Sequence, residues 1–282
     1  MEPDAKEIYR KSIDSKVLPA SLKLIELEGG VLRLLENAPN IENSKRKVWI
    51  SDFKRWKSLT GVSWHMMVGV GFIDSSAERQ SKYANAAVIF LRSAKVLLER
   101  ISSALKSIPG DQSLEAELSE TFKAYQQGME SVLMPYERPE KRYHGKAVIK
   151  IAGNRYRLQC SVCGERAAEF DDRKRSEFQY GEGQGNLYYY GVARSPRCIE
   201  KEKVGAVSKM LEAEDFRGLD EFLRDLWRLH EIGDRSNDAI DVCCLECGKV
   251  YCVYHYGVDR IMDDTFMTCP KGHQKMIYEQ SN

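Results

Sequence analysis

Residues 244–255 read CLECGKVYCVYH, and CPKGH follows at residues 269–273. With CSVC at residues 160–163 they hold eight cysteine and histidine side chains in four pairs, whose members are two or three residues apart: Cys160 and Cys163, Cys244 and Cys247, Cys252 and His255, Cys269 and His273. Two ligands at that spacing can bind one zinc ion from a tight turn, and zinc takes four ligands in a tetrahedron. Eight ligands therefore predict two zinc ions. Because a four-ligand site leaves no position open for water or substrate, we predict that both are structural.

The composition is that of a globular protein, with 43% hydrophobic residues, 30% charged residues and a net charge of +1. A net charge so close to zero gives no global attraction to nucleic acid, so such binding needs a local basic patch. The first residues, MEPDAKEIYRKSIDSK, lack the apolar core of a signal peptide, and no apolar run reaches the roughly 18 residues of a membrane span. We therefore expect an intracellular protein, cytoplasmic or, in a eukaryote, nuclear, with no membrane partner.

Two cysteines fall outside the four pairs. Cys243 stands next to Cys244 and can exchange with it as a ligand, whereas Cys198 lies in the loop-like SPRC and is interpreted as a bystander. A redox or disulfide role is the alternative to zinc for C-x-x-C pairs. Zinc is favoured because three further pairs of similar spacing follow Cys160 and Cys163.

Residues 1–136 predict a helical domain. Its strongest pattern is an apolar stripe whose members are spaced alternately by four and three residues: Ala87, Leu91, Ala94, Leu98, Ile101, Leu105 and Ile108. Pro109-Gly110-Asp111 then breaks the chain, and a second stripe follows: Leu114, Leu118, Phe122, Tyr125, Met129 and Val132. The stripes predict an antiparallel helical hairpin over residues 87–132. It forms either the core of a bundle or a seam that joins two copies into a homo-oligomer.

An aromatic-rich stretch at residues 47–72 precedes this hairpin. It contains Trp49, Trp56 and Trp64 among lysines and arginines. Such a mixture fits a groove for single-stranded nucleic acid or an amphipathic helix whose tryptophans face the core, and we favour the core. Further upstream, residues 21–36 predict a helix that its double glycine, Gly29-Gly30, kinks or breaks.

Residues 137–145, with two prolines and a charge cluster, predict a linker. A predicted β-hairpin around Gly153-Asn154 then leads into Cys160. Because 80 residues separate Cys163 from Cys244, we predict an insertion at about 171–235 that carries one helix with an apolar face: Leu219, Phe222, Leu223, Leu226 and Leu229. The predicted fold is α+β, with an N-terminal α-helical bundle at 1–136 and a small zinc-stapled α+β domain with this helical insertion at 146–282.

The C-terminal run resembles the cross-brace zinc domains of the treble-clef group, which include the FYVE, PHD and RING families. The four-residue gap between Cys247 and Cys252, with Gly248 and Tyr251 inside it, is similar to the FYVE spacing, and the CP at residues 269–270 is similar to the close of a RING finger. The resemblance covers about 30 continuous residues and the distant CSVC, and it identifies no single family.

In such domains the ligand pairs alternate between the two ions. The resemblance therefore implies one site made of Cys160, Cys163, Cys252 and His255 and another made of Cys244, Cys247, Cys269 and His273. A short gap between Cys247 and Cys252 favours this arrangement, because alternation then holds both ends of the intervening segment. The alternative is sequential, with Cys160, Cys163, Cys244 and Cys247 on one ion and Cys252, His255, Cys269 and His273 on the other.

The resemblance is incomplete for each family. The ligands are flanked by the acidic DAID at residues 238–241 rather than by the basic run of a FYVE domain, and Lys249 stands where a RING finger has a histidine. Val162 and Lys275 match the apolar and basic residues that a RING-type ubiquitin ligase uses to orient its conjugating enzyme. A module of that type would act by orientation, without a catalytic side chain of its own.

Three hypotheses for function follow. The first is a non-catalytic adaptor whose two-zinc lobe is a rigid docking surface for a protein partner. The second is a nucleic-acid-binding subunit, which would use a basic strip within residues 138–157 with Tyr143 and Tyr156 stacking on bases: Arg138, Lys141, Arg142, Lys146, Lys150, Arg155 and Arg157. The third is the RING-like ligase module. No conventional catalytic residues and no cofactor-binding fingerprint are found in the sequence, so whether the chain is an enzyme stays open.

Overall fold

The computed structural model describes residues 3–38, 41–72, 76–108, 112–137, 143–172, 186–191, 197–227, 238–261 and 264–277. The chain divides into two compact units, the first made of Met1–Pro139 and Pro270–Gly272 and the second of Glu140–Cys269 and His273–Asn282. The described residues contain a helical N-terminal region and a C-terminal region with small sheets, so the α+β class is confirmed. The first break between units, after Pro139, falls inside the predicted linker at 137–145.

Five α-helices and one 3-10 turn form the described part of the first unit. They are α1 (Pro3–Lys16), α2 (Leu18–Glu36), α3 (Asn43–Phe72), α4 (Ala77–Lys106), α5 (Gln112–Leu133) and the turn at Met134–Tyr136. Helix α2 continues through Gly29 and Gly30, where a break was an alternative. Gly30 packs close to Leu114 of α5, since a Cβ at this glycine would lie 3.6 Å from the leucine side chain.

The core of the first unit contains the predicted apolar stripes. All seven residues of the first stripe are buried, and so are five of the six in the second, from Leu118 to Val132. Trp56 is fully buried between Phe53 and Phe122, while Trp49 and Trp64 are half-buried. The tryptophan-rich stretch is therefore an element of the core. The predicted turn at Pro109-Gly110-Asp111 lies outside the described residues.

The second unit is built on a five-stranded antiparallel sheet in which strand order follows chain order. Its strands are β1 (Val148–Ala152), β2 (Arg155–Gln159), β3 (Arg166–Asp171), β4 (Leu187–Tyr190) and β5 (Arg197–Ile199). Strands β1 and β2 are the predicted hairpin, with Gly153 at a φ of +53° in its turn. The tyrosine triplet at residues 188–190 lies in β4, and Tyr189 is fully buried there.

Two helices follow the sheet, α6 (Lys201–Glu212) and α7 (Phe216–Leu226), where the sequence predicted one. Helix α7 is the predicted helix. Its predicted member Leu229 lies outside the described residues. The two helices share one apolar core with the sheet, formed by Tyr156, Leu158, Phe170, Tyr189, Val207, Leu211, Leu219 and Leu223. The segment predicted as an insertion thus supplies two strands and both helices of this unit.

The rest of the second unit is a short hairpin of β6 (Cys243–Cys244) and β7 (Lys249–Val250), followed by a three-stranded antiparallel sheet. The strands of that sheet are β8 (Gly257–Ile261), β9 (Asp264–Thr268) and β10 (Gln274–Ile277), with β9 in the middle. In the part of the chain that the structure describes, no helix combines the length and apolar character needed to cross a membrane.

Candidate metal centres

Four predicted ligands meet at the end of the β1–β2 hairpin: Cys160, Cys163, Cys252 and His255. Nδ1 of His255 lies 3.3 Å from Sγ of Cys252 and 3.5 Å from Sγ of Cys160. The sulfurs of Cys163 and Cys252 are 3.8 Å apart. All four ligand atoms fall within 4.8 Å of one another. Three of these residues are buried and Cys163 is half-buried, so the cluster is largely shielded from water.

A second cluster joins the β6–β7 hairpin to the turn between β9 and β10, and its members are Cys244, Cys247, Cys269 and His273. Nδ1 of His273 is 3.5 Å from the sulfurs of both Cys244 and Cys269. These four ligand atoms also lie within 4.8 Å of one another. All eight predicted ligands are therefore brought together, four in each cluster.

The ligand pairs alternate between the clusters rather than following in order. Residues 244–255 begin in the second cluster and end in the first, so this segment belongs to both. A backbone hydrogen bond of 2.8 Å from Ser161 N–H to Val250 C=O further joins the first knuckle to β7. The arrangement is the alternating one that the cross-brace resemblance implies, and the sequential alternative does not describe these clusters.

The interatomic distances match a tetrahedron around one ion. Zinc lies about 2.3 Å from sulfur and about 2.0 Å from histidine nitrogen, so a tetrahedron places two sulfurs about 3.8 Å apart and a sulfur and nitrogen about 3.5 Å apart. The separation of Cys163 and Cys252 equals the first value. Three of the four sulfur–nitrogen distances given above equal the second. Each cluster can therefore hold a metal ion with all four protein ligands in place.

Glycine allows the two C-x-x-C turns to close. Gly164 and Gly248 follow the second cysteine of their pairs at φ values of +74° and +63°, in the left-handed region that other residues rarely adopt. Each glycine N–H donates to the carbonyl of the first cysteine of its pair at 2.8 Å, to Cys160 in one case and Cys244 in the other. These turns direct both sulfurs of a pair toward one point.

Thiols at such short range cannot all ionise independently. Hydrogen bonds from Cys163 and then Cys252 hold the pKa of the Cys160 thiol far below its usual value, while the contact with Cys160 raises the pKa of Cys163. In the second cluster, a hydrogen bond from Cys244, followed by one from Cys269, lowers the pKa of Cys247. A divalent cation removes this conflict, because it stabilises every thiolate that it binds.

Two side chains around the second cluster were not predicted from the sequence. The phenol of Tyr251 donates to Sγ of Cys247 at 3.4 Å, and burial raises the pKa of this phenol so that it stays protonated. The carboxylate of Glu246 lies 3.7 Å from Nε2 of His273, on the ring nitrogen that faces away from the cluster. A carboxylate at this place orients the imidazole of a metal-binding histidine. In the sequence, the only sign of this role is that Glu246 lies between Cys244 and Cys247 of the C-x-x-C pair.

The remaining two cysteines belong to neither cluster. Cys243 is fully buried in the core of the second unit, and this burial raises the pKa of its thiol. Its backbone carbonyl instead accepts a hydrogen bond of 2.8 Å from Nζ of Lys275. Cys198 lies in β5, half-buried, where it pairs with Tyr188 of β4. Cys243 therefore does not replace Cys244 in the cluster seen here.

Lys275 is part of a largely buried ionic network that the sequence did not reveal. Its ammonium lies 3.2 Å from the carboxylate of Asp238, and Asp238 also accepts a bond of 3.0 Å from Arg224. Arg224 in turn pairs at 2.9 Å with Asp220, which is only 1% exposed. Because the side chain of Lys275 is only 11% exposed, it is not placed as the exposed cation that a RING-like role requires.

The predicted basic strip does not form one surface. Arg138, Lys141 and Arg142 lie outside the described residues, and Lys146 is exposed. Lys150 pairs across the hairpin with Tyr156, which puts it on the opposite face from Arg155 and Arg157. Tyr156 is fully buried and cannot stack on a base.

The three strip cations in the hairpin are paired with carboxylates. Lys150 lies 2.7 Å from Glu212, Arg155 lies 3.2 Å from Asp171, and Arg157 lies 3.2 Å from Glu169. The carboxylates of Asp171 and Glu169 are themselves buried, at side-chain exposures of 5% and 8%. These ion pairs leave little net positive charge for phosphate binding.

A comparison with protein families matches residues 150–279 to a model described as a domain of unknown function, DUF8328. The matched range is a little under half of the chain and contains all eight ligands of the two clusters. It contains none of α1 to α5. The second unit is thus similar to that family. No curated protein and no solved structure is similar enough to count as a match.

Proposed function

We propose that the second unit is a two-zinc structural module that serves as a rigid docking surface for a protein partner. The observation that carries the proposal is the closed geometry of the clusters, in which four ligand atoms lie at tetrahedral separations. Three sulfurs and one imidazole nitrogen form a donor set typical of structural zinc. With no open position at the ion, the zinc stabilises the fold and does no chemistry.

Zinc stabilises this unit because the elements around the clusters are short. Strands β6 and β7 have two residues each, too few to hold their ends together by backbone hydrogen bonds. A structural zinc ion contributes on the order of 10 kcal/mol to folding. The alternation of ligands supports a module of the cross-brace type, in which a rigid surface is presented to a partner.

A protein partner is favoured over nucleic acid by the charges of the hairpin. The cations at Lys150, Arg155 and Arg157 are each held by a carboxylate. Nucleic-acid binding depends on lysine and arginine side chains that neutralise phosphates and thereby release the counterions condensed on the nucleic acid. The buried position of Lys275 likewise gives no support to a RING-like ligase module.

The experiment measures zinc content by elemental analysis and binding to short single- and double-stranded DNA and RNA at low and high salt, on the same sample. We expect two zinc ions per chain and no salt-sensitive binding. The R155Q and R157Q variants should behave as the wild type does toward nucleic acid. Salt-sensitive binding that these variants lose would overturn the docking proposal in favour of a nucleic-acid subunit.

A further inference from the structure

Strand β1 is an edge of the five-stranded sheet, where the described residues pair it with β2 alone. The N–H of Gln159 donates to the carbonyl of Ala147 at 2.8 Å, so residue 147 directs its carbonyl toward β2. In an antiparallel ladder this direction alternates along the strand. Val148 and Lys150 therefore direct their backbone groups away from the sheet, which makes this edge a template for a further strand.

A carboxylate already binds at the start of this edge. Oε1 of Glu214 accepts two backbone hydrogen bonds, one of 3.1 Å from Ala147 N–H and one of 3.3 Å from Val148 N–H. Two adjacent amides that converge on one oxygen form a small anion-binding site. The start of β1 is thus able to bind a carboxylate, and in this structure an internal one is bound.

The backbone of Glu214 is unusual for a residue of its type. It ends helix α6 at a φ of 53°, and among the described residues it is the one position other than glycine with a positive φ. Its N–H donates to Leu211 C=O at 3.0 Å, and Asp215 N–H donates to Met210 C=O at 2.9 Å. This is the bonding of a Schellman motif, whose left-handed residue is usually glycine. A residue with a Cβ is less favourable than glycine at this position. In this structure the Glu214 side chain makes two hydrogen bonds to the amides of β1.

The surroundings of the site fit an extended peptide that ends in one carboxylate. A cavity of about 700 Å³ lies beside β1 and the end of α6, and its wall contains Lys146 and Lys150 together with Glu212 and Glu214. Lys150 is paired with Glu212, whereas Glu214 is the carboxylate that the peptide would replace. On the strand itself, Ile149 and Ile151 are 38% and 41% exposed. The edge therefore offers backbone groups, the exposed cation of Lys146 and apolar side chains within one short stretch.

We propose that the edge of β1 binds the C-terminal segment of a partner protein as an added strand. The terminal carboxylate of that segment takes the place of Glu214 on the amides of Ala147 and Val148. A terminal carboxylate lies in line with its own strand and so reaches these amides, whereas acidic side chains of a paired strand point above or below the sheet. Glu214 is then an internal competitor that keeps the edge covered until the partner binds.

This proposal also specifies the sequence pattern of the partner. Side chains of an added strand alternate between the two faces of the sheet. The side chains on the same face as Ile149 are expected to be apolar, because they would pack against the exposed part of Ile149. The proposal rests on the proposed function, since the edge belongs to the unit that the two zinc ions hold together.

The test uses the zinc-loaded full chain, labelled with ¹⁵N, as wild type and as Glu214→Gly. Glycine suits the left-handed position, so helix α6 keeps its end while the two amides lose their carboxylate. The probe is an acetylated peptide of alternating threonine and valine with a free C-terminal carboxylate, compared with the same peptide as a C-terminal amide. The readout is the set of amide resonances of Ala147, Val148 and Lys150.

We expect the free-acid peptide to shift these resonances in Glu214→Gly with an affinity at least about tenfold higher than in the wild type. The amidated peptide should bind at least about tenfold more weakly than the acid. Glu202→Gln is the matched control. It removes an exposed carboxylate in the first turn of the same helix, at the end far from the edge amides, so it should leave the affinity unchanged.

Three results would overturn the proposal: equal binding of acid and amide, an equal gain in Glu202→Gln, or no shift of the three resonances in Glu214→Gly at millimolar peptide. If the glycine variant aggregates, Glu214→Gln replaces it in the test. Glutamine keeps a side chain of the same length but has no charge, so it weakens only the hydrogen bonds that the amides of Ala147 and Val148 donate to residue 214. Zinc content is measured on every sample. A failure with two zinc ions bound rejects the docking site alone, whereas a failure without zinc rejects the proposed function.

Discussion

The sulfur atoms of Cys163 and Cys252 lie 3.8 Å apart, although Cys252 comes 89 positions after Cys163 in the chain. All of the five-stranded sheet after β2, and both helices α6 and α7, are formed by the intervening residues. A metal ion bound by both sulfurs would therefore close a chain loop that contains most of the second unit. A tie over so many residues restricts the unfolded chain strongly, as a disulfide of the same span would.

Removal of metal is expected to unfold the second unit and to leave the helical unit folded. The helical unit contains long helices with many buried apolar residues, from Tyr9 to Leu133. The second unit loses on the order of 10 kcal/mol per zinc site when the metal is removed. Limited proteolysis after chelation should cut within residues 146–282 and spare 1–136. A chelated sample whose C-terminal region keeps its resistance to protease would contradict this expectation.

Replacing one ligand is expected to remove one ion and to leave the other bound. Cys163→Ser should lower the zinc content from two ions to one, because the hydroxyl is a poor ligand compared with a thiolate. Cys198→Ser is the matched control and should keep two ions, since Cys198 belongs to neither cluster. Cys243→Ala should also keep two. Loss of zinc from Cys243→Ala would show that this residue, and not Cys244, is the ligand.

Lys275→Met is expected to destabilise the region around the second cluster by about 3 kcal/mol. The methionine fills the space of the side chain but leaves Asp238 and the carbonyls of Ile240 and Cys243 without this donor. Native-state hydrogen exchange of the amides from Cys243 to Val250 measures the local opening. Lys249→Met serves as the control, because Lys249 is exposed and lies in the β6–β7 hairpin whose amides are measured. Equal exchange in both variants would refute a structural role for Lys275.

The helical unit is expected to lose stability in acid through Glu115. Hydrogen bonds from Ser102 and Ser119 and the charge of Lys106 hold the pKa of this carboxyl below its usual 4.5, the bond from Ser102 being the largest cause, while burial opposes them. The folded state then binds fewer protons than the unfolded state near that pH. The contribution to the free energy of unfolding is therefore present above pH 4.5 and is lost as the pH falls through the folded-state pKa.

Glu115→Gln should reduce the free energy of unfolding by about 1 kcal/mol at neutral pH. It should also make this free energy fall less steeply as the pH is lowered below 4.5. Tryptophan fluorescence during urea unfolding reports on this unit, which contains three of the four tryptophans. Glu120→Gln, exposed on the same helix, should leave the acid dependence as it is. An unchanged acid profile in Glu115→Gln would exclude this carboxyl as its source.

The sequence predicted most of what depends on local spacing. Ligand pairs and the stripe from Ala87 to Ile108 follow regular spacings, so the residue pattern alone is enough to predict the eight ligands and the α4 core. The grouping of the ligands into two alternating clusters was implied by the cross-brace resemblance and not by the spacing alone. In the ionic network, only Asp220 and Arg224 have a spacing that indicates a pair, four residues apart on α7. Asp238 and Lys275 could not be predicted as its other members, because they lie outside this helix and share no spacing with it. Helix α6 was missed since its three buried residues, Val204, Val207 and Leu211, make a short stripe beside a glycine.

The basic strip shows the opposite limitation. Seven cations within residues 138–157 suggested one surface. Alternation along the hairpin instead puts Lys150 on one face and Arg155 and Arg157 on the other. Their partners Glu212, Asp171 and Glu169 come from elements that follow later in the chain. Charge counted along a sequence therefore overstates the charge that a folded surface presents.

X-ray absorption at the zinc edge, with elemental analysis of the same sample, tests the central claim most directly. The account predicts two zinc ions per chain, with an average of three sulfur ligands at about 2.3 Å and one nitrogen at about 2.0 Å for each. Fewer than two ions, or a shell that includes a water oxygen, would contradict the two closed sites on which the proposed function depends.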